Sequence, residues 1–394
     1  MLKNKLIYSS PIIILAVITI FSLTMIPSVS PSPKELPIAL VNEDSGVSLP
    51  DQSQLNIGKQ MIEKIQSQSM PGEVSPVKWI SVDSLAEAQQ GMEAKEYYAA
   101  FLIPKSFSEN QFSLQTPAPT SPEIQLYINQ GMNTLAATAA GQILDGIVNG
   151  INEGVRTQLL STFSTADAKL TVDQATMMVE PIRKKVTNVN AIGTKSANGN
   201  APVSLFQPIW MASIGGAVIV FFALQKSFLR GRKQKAAGIS AVIGIGAILA
   251  LLAGFFTTWF ANSVIGLAIP SFSATALFIS LAYFTYFLLV SAVLSWLGMK
   301  GIPIFVLTLF FGLPLLAMPK EFMSSFYQDW VNPWLPMRPM IDGLRDLLFF
   351  GKGFEWSHSV EVLTFIAIGS LLVLFTSVLK KDLRLPEQQQ QHLG

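Results

Sequence analysis

Residues 203–224 hold no charged side chain, and the ten residues that follow the next position, Lys226-Ser-Phe-Leu-Arg230-Gly-Arg232-Lys233-Gln-Lys235, are basic without a single acid. About 20 apolar residues suffice to cross a hydrocarbon core. An apolar run that ends in a basic segment reads as a helix that enters the cytoplasm and stops there. Upstream of this stretch the chain is mostly polar apart from its first turns; downstream it is mostly apolar. A chain divided in this way must fold partly in a bilayer and partly in water.

Composition agrees. Of 394 residues, 50% are hydrophobic and only 13% charged, which places the chain among membrane proteins. The formal net charge of +2 gives no ground for a nucleic-acid partner. There is no cysteine, which excludes disulfides, thiolate zinc sites and cysteine catalysis. An exported domain without disulfides must be held by its own core, a condition more usual in bacteria than in secreted eukaryotic proteins.

The chain starts with Lys3 and Lys5, followed by the uncharged run 7–26 and a Pro/Ser-rich segment ending at Pro33. Two readings compete. A signal peptide would have an apolar run of about 7–15 residues and a small-residue site, which Ser28-Val29-Ser30 offers. The observed run has the length of a spanning helix and favours an uncleaved anchor over residues 1–28. Either way the two lysines stay inside and residue 31 onward goes outside.

Residues 29–202 are expected to form an extracytoplasmic domain. Acids outnumber bases by 17 to 12 over residues 29–203, and long domains translocate largely regardless of charge. Leu36–Val41 runs into the turn cluster Asn42-Glu43-Asp44-Ser45-Gly46, the mark of a buried strand. Then come a helix over 55–65, a strand over 77–82, a helix over 83–95, a strand over 97–103, a loop over 111–121 and a half-buried strand over 123–128. This alternation predicts an α/β unit with a mixed or parallel sheet. A long helix follows over 132–163, with Leu135, Ala139, Ile143, Ile147 and Ile151 as its apolar stripe. A second helical stretch, 172–186, is interrupted by Pro181, and 187–200 reads as a loop. The stripe is first a packing face for a stalk or lid; a ligand groove is the second reading.

After the stretch at 203–224 come apolar segments at 237–261, 272–297, 302–318 and 360–379. With the anchor they make six spans, and residues 203–381 form a five-span membrane domain. Loop charge gives the orientation: 226–235 inside, uncharged 262–271 outside, Lys300 at a tight inside turn, 319–358 outside, and Lys380, Lys381 and Arg384 inside. Both termini are then cytoplasmic, with 382–394 as a disordered polar tail. Trp210, Trp259, Trp296 and Trp356 lie near predicted span ends, where interfacial tryptophans belong.

Chemistry-bearing constellations are missing. The spans hold almost no ionisable groups, only Glu361 at an edge, which argues against a proton- or ion-coupled carrier. The two histidines, His358 and His392, fall on opposite sides of the membrane and cannot share a triad or a metal site. No G-x-x-x-x-G-K-[ST] segment occurs. The chain is therefore read as no enzyme, with no cofactor and no metal. Gly246, Ala250 and Gly254 form a small-residue stripe, as do Ala212 and Gly216; such faces serve helix packing within one subunit or across a homodimer. In the outer segment, Trp334–Phe350 is amphipathic, with Met340, Leu344, Leu347 and Leu348 apolar at helical spacing. It lies in the lipid interface, or it is a gate helix carrying Pro339, Asp342, Arg345 and Asp346.

Three segments carry a resemblance. Leu36-Pro-Ile-Ala-Leu-Val-Asn42-Glu43-Asp44-Ser-Gly46 with Leu55-Asn-Ile-Gly58 resembles the start of the exported domain in the bacterial YhgE/Pip (phage infection protein) group. Ala86 through Ser108, with Pro104-Lys-Ser-Phe107, is similar to a segment of that group and of the wider ABC-2 type permeases. Leu335-Pro336-Met337 through Gly343-Leu344-Arg345 looks like the outer segment before their last span. The resemblance implies a permease half in the bacterial cell membrane, working as a homodimer among membrane lipid with a separate ABC ATPase. Under that reading Lys226, Arg230, Arg232, Lys233 and Lys235 form the loop that meets the ATPase; in the other reading their charges only fix orientation. The YhgE/Pip proteins have a longer outer domain, and the inside loops here are short. A non-transporting surface receptor or secretion-accessory protein, of the phage-adsorption kind, is the other reading.

Overall fold

The computed structural model describes residues 32–49, 52–67, 75–116, 118–165, 170–225 and 231–380, with Leu15, Ile18, Thr19 and Ser22 before them. The rest of the anchor, the tail 382–394, Lys226 and Arg230 lie outside the described residues. The chain separates into an α/β unit, running up to Thr194 and taking in Met318–Asn332, and a helical unit of Lys195–Ala317 and the residues from Pro333 on.

The α/β unit is a five-stranded mixed sheet in the order β4-β1-β5-β6-β7. Strand β1 (Leu36–Asn42) lies parallel between β4 (Val77–Val82) and β5 (Ala99–Ile103). Strand β6 (Glu123–Asn129) runs antiparallel to β5, and β7 (Arg183–Val189) runs parallel to β6. A two-residue pair, β2 (Val47–Ser48) and β3 (Gln54–Leu55), sits apart. Successive β1 side chains point to opposite faces. Ile38 and Leu40 join a core with Phe101, Ile124 and Leu126; Ala39 and Val41 join another with Val82, Ala88 and Met92. Helices α1 (Ile57–Ser67), α3 (Phe107–Ser113) and α4 (Thr134–Thr165) supply the first core, and α2 (Leu85–Glu93) the second.

The turn after β1 explains why that segment is so polar. Asp44 is buried, and its Oδ1 accepts the backbone N–H of Ser108 at 3.0 Å and of Gly46 at 3.3 Å. Its Oδ2 accepts Gly58 N–H at 3.1 Å and the Ser108 hydroxyl. Glu43 Oε1 accepts Leu85 N–H at 3.3 Å. Two adjacent carboxylates thus cap the first turns of three helices, α1, α2 and α3, where unsatisfied N–H groups and the dipole favour negative charge. Gly58 follows from the same contact: a Cβ there would lie 2.7 Å from Asn42 Oδ1 and 2.9 Å from the Cβ of Asp44.

The sequence-based elements need four corrections here. Residues 107–113 are the helix α3, so the loop begins only after it. Helix α4 buries Ala136, Ala140, Leu144, Val148, Asn152, Val155 and Leu159, one position beyond the expected stripe. Ile143, Ile147 and Ile151 pack half-buried beside that row, and Leu135 is exposed. The second helix is only α5 (Val172–Met177); beyond Pro181 the chain turns into β7, an edge strand whose Arg183, Lys184 and Lys185 supply the charge that protects sheet edges from pairing. Finally, Met318–Asn332, expected as part of an outer loop, folds into the α/β unit. Glu321 C=O accepts Lys34 N–H at 2.9 Å, its Oε2 accepts the Tyr98 hydroxyl at 2.8 Å, and Phe322 enters the main core.

The helical unit contains α6 (Ala201–Gln225), α7 (Gly231–Trp259), α8 (Phe272–Leu297), α9 (Ile302–Ala317), α10 (Arg338–Phe349) and α11 (His358–Thr376). Among the described residues, four helical runs are long and apolar enough to cross a membrane: Ala201–Gln225, Gly231–Ile265, Phe272–Ala317 and His358–Leu379. The third, with 46 residues, comprises α8 and α9 separated by a short turn over Gly298–Gly301. Gly298 has φ 59°, which a residue with a Cβ adopts only at a cost.

Candidate functional site

Helix α8 is the axis of the helical unit, packed against α6, α7, α10 and α11. Its large side chains fit notches made by glycine. A Cβ on Gly246 would overlap the Phe287 ring, one on Gly254 the Ser280 hydroxyl, and one on Gly343 the Phe278 ring. Tyr283 lies over Gly216 of α6 and donates its hydroxyl to Ala212 C=O at 3.3 Å. The stripe Gly246, Ala250 and Gly254 is therefore used within one chain, against α8, with Ala250 also buried.

Trp210 departs from expectation. It is 1% exposed, with its indole 4.9 Å from Tyr286 and 6.1 Å from Phe305, and it donates Nε1–H to Phe305 C=O at 3.3 Å. It is a core residue, because a buried indole needs an acceptor and the start of α9 offers one. Trp259, Trp296 and Trp356 are exposed, as interfacial residues are.

The basic segment is only in part a loop. Helix α7 begins at Gly231, so Arg232, Lys233 and Lys235 ride on its first two turns. Cations there oppose the helix dipole, and no acid stands in the first turn to offset them. Lys235 Nζ donates to Lys380 C=O at 2.7 Å, and Lys380 Nζ donates to Trp296 C=O at 3.0 Å and Ser295 C=O at 3.3 Å. The start of α7 and the ends of α8 and α11 thus gather at one basic end of the unit. Lysine at the last carbonyls of α8 is where the dipole favours it.

The amphipathic segment is the helix α10, with Pro339 in its first turn, where no N–H is required. Met340, Ile341, Leu344, Leu347 and Leu348 are buried. That apolar face packs on α6, α8 and α11, so it is covered by protein and not offered to lipid. On its other side Asp342 accepts from Arg338 Nε at 3.2 Å and Arg345 Nη1 at 3.3 Å, and Asp346 pairs with Lys352 at 3.3 Å. His358 Nδ1 stands 3.7 Å from Glu361, both exposed.

Among the described residues no group of three His, Cys, Asp or Glu side chains comes together to hold a metal. What the helical unit buries instead is hydroxyls. Thr285 donates to Leu363 C=O at 3.2 Å, while the hydroxyls of Thr275, Tyr286 and Ser291 on α8 have no hydrogen-bond partner among the described residues. Neither these nor Trp210 announce themselves in the sequence, since a hydroxyl or an indole in an apolar run reads as lipid-facing or interfacial.

These features define an apolar bundle with a basic end and a separate α/β unit. The family model described as ABC-2 family transporter protein matches residues 6–379, nearly the whole chain. The chain belongs to that family, and is a membrane protein of permease type. No curated protein and no solved structure matches it.

Proposed function

We propose that this chain is the permease subunit of an ABC-2 type exporter, with six spans, both termini cytoplasmic, the α/β unit outside the bacterial cell membrane, and a separate ATPase as its motor. The family match over residues 6–379 carries this reading, in a chain without a phosphate-binding loop of its own. A homodimer fits a half-sized permease, and the chain itself is no enzyme. The cargo is apolar or amphipathic, since the spans offer hydroxyls and almost no charge.

The fold supports the span count by parity. Residues 318–332 pack into the same unit as 32–194, so both lie on one side of the membrane. Between Ala201 and Ala317 the chain must therefore cross an even number of times. Helices α6 and α7 cross once each, so Phe272–Ala317 contributes two passes, α8 out to in and α9 back. One pass of 46 residues would be about 69 Å long at 1.5 Å per residue, twice a hydrocarbon core. The basic end at Arg232, Lys233, Lys235 and Lys380 then falls inside, and α10, the proposed gate, outside. The resemblance to the YhgE/Pip group stands on the β1 turn and on 86–108.

Neutralising Lys226, Arg230, Arg232, Lys233 and Lys235 to Gln is expected to abolish co-purification of the ATPase while the permease still inserts and folds. If the wild-type chain neither retains nor stimulates any ATPase, and its outer unit alone captures a surface partner, the receptor reading replaces this one.

A further inference from the structure

The carboxyl ends of parallel strands are where open α/β sheets ordinarily take ligands, against helix N-termini. Here Glu43 and Asp44 already fill that edge. The opening lies at the other end of the strands. A cleft of about 720 Å³ is lined by Lys34, Lys78, Ile80, Met132, Glu321 and Met323, among others, a size typical of small-molecule sites.

Its charges are mixed and placed by the sheet. Lys78 is opposite Pro37 on β4, and Tyr98 N–H bonds Pro37 C=O on the other flank. Tyr98 and Lys78 are thus two strand spacings apart, about 10 Å. Tyr98 holds Glu321, which is 7% exposed. A carboxylate offers about four acceptor positions. Tyr98 uses one of them, and the nearest cation, Lys320 Nζ, stands 3.9 Å from the other oxygen. A buried carboxylate so placed is stabilised by a further cationic partner. Lys34 and Lys78 are exposed and make no ion pair among the described residues. Ile80, Met132 and Met323 add apolar wall.

We propose that this cleft binds a zwitterionic head group, with Glu321 taking the ammonium and Lys34 and Lys78 the phosphate or carboxylate. The same chemistry occurs in a free phosphoamine and in the head of an aminophospholipid. The site does not depend on the transport reading, because it would bind in a receptor as well as in a pump.

The test is calorimetric titration of the purified full-length protein in detergent with phosphoethanolamine, with inorganic phosphate and ethanolamine as single-charge probes. Phosphoethanolamine is expected to bind at least tenfold more tightly than either, with a tenfold or greater loss in Glu321→Gln and in Lys78→Ala. Glutamine keeps an acceptor for Tyr98, and Lys78 is exposed, so at least the second variant folds normally. Lysophosphatidylethanolamine separates the sources: tenfold tighter binding than the free head group, with no binding of lysophosphatidylglycerol, assigns a lipid, and equal affinity assigns a soluble molecule. The proposal is overturned if neither zwitterion binds, if phosphate alone binds as tightly, or if Lys78→Ala matches the wild type.

Discussion

The two units bury polarity in opposite ways. The α/β unit buries full charges and amides and meets each with directed hydrogen bonds: Asp44 at the turn after β1, Glu321 on Tyr98, and Asn152, whose side chain bonds Ile182 N–H at 2.7 Å and C=O at 3.0 Å. The helical unit has no buried charge within its spans among the described residues. It is assembled from large residues set into glycine notches along α8. Water explains the difference. A unit folded in water gains from the hydrophobic effect and can fix its fold with polar contacts inside an apolar core. Helices in lipid gain little from burial and associate through close packing.

The largest effect that would break this contrast is steric. Gly254→Leu is expected to disrupt the α7–α8 contact outright, because overpacking already costs about 1–3 kcal/mol where a methylene is added and here backbone stands in the way. The protein should lose its monodisperse peak in detergent size-exclusion chromatography. A normal peak would mean that α8 is not the axis of the unit. Next comes Asp44→Ala, which leaves the N–H groups of Gly58 and Ser108 without their acceptor. Hydrogen bonds to charged groups contribute roughly 1.5–3 kcal/mol each, so the melting transition of the α/β unit should fall by several degrees while the helical unit holds. If both transitions fell together, the two units would not be separately stabilised.

The smallest effect sharpens the comparison by pH. Burial, and then Glu96, raises the Tyr97 hydroxyl pKa above its usual value near 10; burial, and then Glu123, does the same to Tyr127. The unfolded chain therefore loses these protons first. The stability they contribute is complete below pH 10 and is lost as pH rises through the folded values. Tyr97→Phe and Tyr127→Phe should flatten the alkaline fall of the α/β unit's melting temperature.

How much of this is legible in the sequence follows from which forces write a local pattern. Residues 77–82 and 272–297 match β4 and α8 to the residue, because a β-branched run and a 26-residue apolar segment carry their own periodicity and length. The buried row of α4 lies one position from the expected stripe, because its face is wide and its innermost residues are small, Ala136 and Ala140. Strand β7 has three basic residues and no clear alternation; it exists because β6 offers it an edge. The residues proposed for coupling and gating are locatable as a basic run and an amphipathic turn, whereas the cleft is not. Glu321 and Tyr98 are 223 positions apart, and no short-range pattern joins them.

The capture of Met318–Asn332 by the α/β unit has a consequence in time. Synthesis delivers β7 long before Glu321 and Phe322, with roughly 130 residues between, or about 7–26 s at ~5–20 residues per second. Until those residues are made, Tyr98 lacks its carboxylate and the core lacks Phe322. In the proposed topology the α/β unit can finish folding only after α6 to α9 have been threaded, so its completion would report that the passes before it were made in the right number.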